Sequence, residues 1–142
     1  MAKRRVDQTE LDTIMKQHHL WLESNNMQGI KADLSNTNCS GLTFRIRQDS
    51  TWTNLHGRPN LSEVDFTNAD LNGADLSAVR LSWANLSGAD LTNADMRGVD
   101  LSLVWWQPKF LLGTSVTFTG ATMPDGHTYG EYLSEWVSEY FM

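Results

Sequence analysis

The sequence predicts a solenoid of short repeats, and two observations carry that expectation. A five-residue period runs almost unbroken from Pro59 to Gly113, in blocks such as Ala69-Asp70-Leu71-Asn72-Gly73, Ala74-Asp75-Leu76-Ser77-Ala78 and Ala89-Asp90-Leu91-Thr92-Asn93. Five fits neither the 3.6 period of a helix nor the 2.0 period of a strand. A large residue recurring every fifth position is buried only against its equivalents in neighbouring coils. By length, the 142 residues form one domain, 1–142.

The first element is a helix over 7–24. Asp7 can cap it, with Glu10 three residues on as in a capping box. Val6 and Leu11 stand at the two positions of a hydrophobic staple. Leu11, Ile14, Met15, His18 and Leu22 share one face. Asn25-Asn26 and Gly29 should stop the helix near Ser24.

A first repeat tract follows, from Ala32-Asp33-Leu34 to Leu42-Thr43-Phe44. Its next central residue would be Asp49, and a carboxylate is costly to bury fully. The phase is lost there. Thr53-Asn54-Leu55-His56-Gly57 reads as a repeat one residue out of phase, with Arg47–Thr51 and Arg58–Pro59 as bulges or a short loop. The second tract places Leu61, Phe66, Leu71, Leu76, Leu81, Leu86, Leu91, Met96, Leu101, Trp106 and Leu111 at the centre. After Gly113 the phase slips and resumes at Phe118 and Met123, before the turn signal Pro124-Asp125-Gly126. A second, amphipathic helix is expected over 128–141. Thr128 and Glu131 form its capping box, and Tyr129, Tyr132, Leu133, Trp136, Val137, Tyr140 and Phe141 form its apolar face.

Composition narrows the function classes. The formal net charge of -6 argues against a general nucleic-acid binder. Cys39 is the single cysteine, so no intrachain disulfide can form and a reducing cytoplasm is the simplest setting. No apolar run approaches the ~20 residues of a membrane span, and Met1–Val6 lacks the apolar stretch of a secretion signal. The four His form no metal-ligand spacing, and no phosphate-cradling loop or nucleophile elbow is present. No cofactor, no metal and no catalytic residue is expected, and the repeat reads as a scaffold rather than an enzyme.

The A-[DN]-L-x-x blocks, tight across Ala32–Phe44 and Leu61–Leu101 and looser to Met123, resemble the pentapeptide-repeat family. The segments His19–Ser24 and Gly120–Gly126 are similar to sequences flanking bacterial members, cyanobacterial ones especially. The resemblance implies an all-β repeat fold, a right-handed quadrilateral parallel β-helix with four pentapeptides and about twenty residues per coil. About four coils would span 32–125, interrupted near 45–59, with an α-helix capping each end. The central Leu or Phe and the small residue two before it would point inward, and the other three positions outward. Stacked coils would lie about 4.8 Å apart. The columns would be Leu61–Leu81–Leu101 and Phe66–Leu86–Trp106, the last distorted by its large indole.

That geometry defines four candidate surfaces. Arg45, Arg47, Trp52, His56 and Arg58 gather at the phase break, where gyrase-protecting members of the family carry functional loops; a solvated bulge is the alternative. Trp83 and Leu103 share an outward column, with Trp105, Phe110 and Leu112 nearby. This apolar patch is either a partner site or the bed for the C-terminal helix. Asp70 stacks over Asp90 and Asp75 over Asp95. Between Pro59 and Val104 there are seven acidic residues and two basic ones. The charge either comes with the motif or mimics a nucleic-acid duplex, as the resemblance to gyrase-targeting members implies. Trp136, Tyr140 and Phe141 could cap the coil or pair with a second copy. The expected function is a non-catalytic protein-binding or scaffold module, with a DNA-mimicking modulator of gyrase or topoisomerase as the alternative. Its partner would be a protein, without direct nucleic-acid or membrane binding. A homodimer could form through the C-terminal helix or a coil end.

Overall fold

A five-residue unit leaves the chain room for little more than one bridging residue before it must turn. The computed structural model, which describes residues 3–44, 59–99, 104 and 117–128, shows how the unit is built. The Leu71 N–H donates to the Asp90 carbonyl at 2.8 Å, and the Asp90 N–H donates to the Ala69 carbonyl at 2.9 Å. The Ala74 N–H then closes the turn onto the Leu71 carbonyl at 3.0 Å. The third residue of each turn takes a left-handed backbone, with φ from 56° to 75° at Asn36, Gly41, Glu63, Asn68, Gly73, Ala78, Trp83, Gly88, Asn93 and Gly98. Gly and Asn suit that region; Glu, Ala and Trp do not.

The Asp or Asn before the central residue has a turn-forming job. Its Oδ1 accepts the N–H two residues on, from Asn72 to Asp70 at 2.9 Å, Ser77 to Asp75 at 3.0 Å and Thr92 to Asp90 at 2.9 Å. Ser and Thr hydroxyls at the same place donate to that oxygen as well, as Ser77 does. The motif is therefore a side-chain-braced turn repeated in register.

Parallel bridges join Asn60 to Arg80, Asp65 to Asn85, Asp70 to Asp90 and Asp75 to Asp95, each pair twenty residues apart. Four such bridges occupy each twenty-residue period. Below them Asp33, Asn38 and Thr43 pair with Asp65, Asp70 and Asp75 at a separation of 32, so twelve additional residues enter between Thr43 and Asn60. Above them Asp90 pairs with Thr117 and Asp95 with Thr122 at a separation of 27. The expectations for Arg47–Thr51 and 53–57 lie outside the described residues, as do Leu101, Trp106, Leu111 and the helix expected over 128–141 beyond Thr128. Thr128 itself bridges antiparallel to Thr122.

Regular strand is scarce, which narrows the all-β expectation. The named strands, β1 (Arg4–Arg5) and β2 (Thr37–Asn38), are two residues each and parallel. Elsewhere among the described residues the pairing is by single bridges, because a turn follows too soon for a strand to extend.

The interior is filled by the central residues and the small residues two before them. Leu34, Phe66 and Leu86 form one column by register; Cys39, Leu71, Leu91 and Phe118 form another; Phe44, Leu76, Met96 and Met123 a third. All are buried, as are Ala69, Ala74, Ala84, Ala89, Ala94 and Ala121. Phe44 meets Phe66 edge to face at 5.6 Å. Thr37 occupies one small-residue site with its hydroxyl bonded to the Leu34 carbonyl at 2.6 Å.

The first coil's open end is closed by the N-terminal segment. β1 pairs with β2, and the Val6 N–H donates to the Asn38 carbonyl at 3.0 Å. Helix α1 (Gln8–Glu23) follows, with Asp7 accepting the Glu10 N–H at 2.8 Å. The reciprocal half of the expected capping box is replaced, because the Glu10 carboxylate pairs with the Arg4 guanidinium. Gln8 stands in for a strand: its amide donates to the Thr43 carbonyl at 2.8 Å and accepts the Thr43 N–H at 3.0 Å. Val6, Leu11, Met15 and His18 are buried, whereas Leu22 is partly exposed. No helix among the described residues is long and apolar enough to cross a membrane.

The turn column yields a graded prediction. A Cβ on Gly88 would sit 2.1 Å from Asn68 Oδ1, whereas one on Gly73 would meet nothing within 4 Å. Gly73→Ala should cost about 1 kcal/mol for its left-handed backbone, and Gly88→Ala about 2–3 kcal/mol because the Asn68 side chain must also move. Urea denaturation of the two variants checks the order.

Candidate functional site

The side chains with chemical character lie on the outside of the coils, at the bridge and turn positions. The bridges place Asp70 beside Asp90 and Asp75 beside Asp95. Each pair is short. Asn38 and Thr117 flank the first, and Thr43 and Thr122 flank the second. The neighbouring ladders are mixed, Asp33–Asp65–Asn85 and Asn60–Arg80. Arg97 reaches back to Asp95 with its NH2 2.7 Å from Oδ2 and its Nε 3.0 Å from Oδ1, and the Asp75 carboxylate adds to the field that holds its charge. The acidic face is thus two carboxylates tall on each of two sides among the described residues, and Arg97 answers Asp95.

These carboxylates are also partly committed. Asp70, Asp75, Asp90 and Asp95 each spend Oδ1 on a backbone N–H, and Asn38, Asn60 and Asn85 make the same bond with an amide oxygen, at 3.0 Å in each case. The turn needs an oxygen, not a charge. At Asp33 the Ser35 hydroxyl and N–H hold the carboxyl below its usual range, and at Asp125 the partner is His127.

Trp83 is the described member of the expected apolar patch. It is 58% exposed and carries φ 63°, in the turn place that Gly and Asn fill elsewhere. Lys31 precedes Ala32 as Glu63 precedes Val64 and Trp83 precedes Ala84, so the bridge register puts the three at one corner. Met27 at 84% and Ile30 at 68% are the other large apolar side chains exposed among the described residues, and they lead into that corner. Sequence reasoning missed both. Their signal was weak, being two apolar residues between Asn26 and Ala32 that fit no period. Leu103, Trp105, Phe110 and Leu112 lie outside the described residues, as do Arg45, Arg47, Trp52, His56, Arg58, Trp136, Tyr140 and Phe141.

Sequence reasoning also gave His18 too small a role. Its Nδ1 accepts the Ala32 N–H at 2.9 Å and its Nε2 lies 2.7 Å from the Ser62 carbonyl. Its ring stacks on Trp21, over which Lys31 places its ammonium 5.6 Å from the centroid. Cys39 is buried, and that burial pushes its thiol pKa up, so it is a poor nucleophile. No group of three His, Cys, Asp or Glu among the described residues is arranged to hold a metal ion.

The comparisons with known proteins bear on the repeat. The model of the pentapeptide repeats matches residues 60–98 in eight copies. Among solved structures the chain is similar to HetL, a pentapeptide repeat protein involved in heterocyst differentiation regulation from the cyanobacterium Nostoc sp. strain PCC 7120. The two are 26% identical with a TM-score of 0.29, over 70% of this chain and 56% of HetL. The chain thus spans little more than half of that protein's length. No curated protein matches it.

Because Asn serves the turn as well as Asp does, replacing Asp70, Asp75, Asp90 and Asp95 together by Asn should leave the circular dichroism spectrum unchanged. The unfolding free energy from urea denaturation should change by no more than about 0.5 kcal/mol per site. A collapse of the fold would show that the charge itself is structural.

Proposed function

The repeat segment, 60–98, belongs to the pentapeptide-repeat family, and from that premise we propose that the chain is a non-catalytic protein-binding module of the cytoplasm. Its coils close as a right-handed quadrilateral β-helix of about four turns, with the chain's ends as caps and the outer corners as the working surface. The observation that carries this reading is Trp83. A left-handed backbone costs a bulky L-residue roughly 1–2 kcal/mol, and an indole 58% exposed leaves most of its surface open to a partner. Trp is also a residue type that anchors protein interfaces. Among the described residues the thiol is buried and Asp70, Asp75, Asp90 and Asp95 each commit one carboxylate oxygen to a turn, which suits a scaffold role.

The alternative, gyrase modulation by an acidic rod that mimics a duplex, draws less support. A duplex carries a phosphate charge every ~1.7 Å along its axis. Here the described acidic ladders end in Thr or Asn after two carboxylates. A supercoiling assay with purified protein should show neither inhibition nor protection of gyrase.

Trp83→Gly separates function from folding. It should leave stability within about 1 kcal/mol, as relief of the left-handed strain is offset by glycine's greater unfolded freedom and by the lost burial of the partly covered indole. In affinity capture from a native lysate it should lose the protein that the wild-type chain retains. Equal capture by the two proteins would remove Trp83 from the interface.

A further inference from the structure

We propose that His18 makes the N-terminal cap acid-labile, so that mild acid makes β1 and α1 open from the first coil more often while the stacked repeats stay folded. The geometry allows the imidazole one form. The Ala32 N–H donates to Nδ1, so Nδ1 must carry a lone pair, and Nε2 must then carry the proton it gives to the Ser62 carbonyl. His18 is fully buried and ties α1 at once to the segment entering the first coil and to the second coil. A second proton can go nowhere but Nδ1, where it would face the Ala32 N–H donor to donor at a buried position.

The surrounding charges are few. His19 on the same helix and Lys31 on the segment entering the first coil oppose a positive imidazole; Glu63 on the second coil favours it. The Ser62 carbonyl also favours it, yet burial dominates and holds the ring neutral below its ordinary range. The sign follows. With the closed-state pKa depressed, the docking contribution is complete above the free value of about 6.5 and is lost as pH falls below it toward the depressed value. Carboxylates titrate lower, near 4, so a window around pH 5.5 reports histidine rather than carboxylate protonation, and the His18 variants assign it.

The cap is otherwise held by the two-residue β1–β2 pairing, the Gln8 amide on Thr43, the Val6 N–H on Asn38, the Arg5 guanidinium on Asn38 and Ser40, and the buried side chains of Val6, Leu11 and Met15. A proton on His18 therefore raises how often the cap opens rather than stripping it from the coil. Opening uncovers Leu34, Cys39 and Phe44 together with the backbone edge at Thr37–Asn38 and Thr43, an edge able to accept a strand.

Hydrogen exchange of the full chain at pH 7.5 and 5.5, corrected for intrinsic exchange rates, tests the proposal. Peptides from α1 should open more often at pH 5.5, by up to about tenfold, the ceiling set by one proton taken up on opening, while peptides from 60–98 keep their protection. His18→Asn, which keeps an acceptor for Ala32, and His18→Gln, which keeps a donor for Ser62, should each lose the pH dependence. His127→Gln should keep it, because that ring is exposed. Unchanged α1 protection in the wild-type chain would overturn the proposal. So would equal loss in α1 and in 60–98, or the wild-type acid response persisting in either folded His18 variant. If both variants fail to fold, the wild-type comparison and an NMR titration decide, since His18 titrating at or above 6.5 in the closed state would also overturn it.

Discussion

The structure depends on main-chain hydrogen bonds that run from one coil to the next. Each side contributes a bridge residue and its neighbours, and every ladder is completed by the level above or below. Such a ladder is satisfied everywhere except at its ends, where unpaired donors and acceptors would recruit another chain. The N-terminal segment answers that need group by group. β1 supplies backbone to the Asn38 side, the Gln8 amide copies backbone for Thr43, and His18 accepts the N–H of Ala32. Three different chemistries serve one edge, because a straight helix cannot follow the corners of a coil. The histidine is the one of the three whose bonding a proton can reverse.

The same ladder explains the composition of the repeat. A turn every five residues requires a left-handed third turn residue and an oxygen to hold the N–H after the central residue. Asp and Asn supply the oxygen, Ser and Thr add a hydroxyl, and Gly or Asn relaxes the turn. The acidic net charge then follows in part from choosing Asp over Asn. Gly88 and Asn68 show how closely neighbouring turns are fitted, since the Asn68 amide fills the space a side chain on Gly88 would need.

What the sequence made legible is what the period dictates. The central residues from Leu61 to Met96 and the alanines two before them are buried as a period of five requires, and the blocks resume at Phe118 and Met123 after a slip. Less legible was anything joining residues distant in sequence through main-chain atoms. His18 reads as one more residue on a mostly apolar helix face; its partners are the backbone of Ala32 and Ser62, which have no letter in the sequence. Gln8 is hidden in the same way. Glu10 has the spacing of a capping box, but a guanidinium nearby offers its carboxylate a stronger, charge-assisted bond than the cap N–H does. The left-handed turn was readable in principle, because Gly and Asn recur at its third place. Against that background Glu63, Ala78 and Trp83 stand out as exceptions.

Those exceptions locate where the chain is free to do something besides fold. Inward positions are fixed by volume and bridge positions by the need for an oxygen. The third turn residue is constrained by its backbone and, at Gly88, by the Asn68 amide of the neighbouring turn, and any residue other than Gly or Asn there carries a conformational cost. Ala78 gives little to a partner. Glu63 stands close enough to His18 to act on its charge. Trp83, one coil above Glu63 at the same corner, combines the largest cost with the largest contact area. The corner of Lys31, Glu63 and Trp83 therefore joins the two properties that set this chain apart from its own repeat: an indole held outward against backbone preference, and a helix cap held by a neutral imidazole.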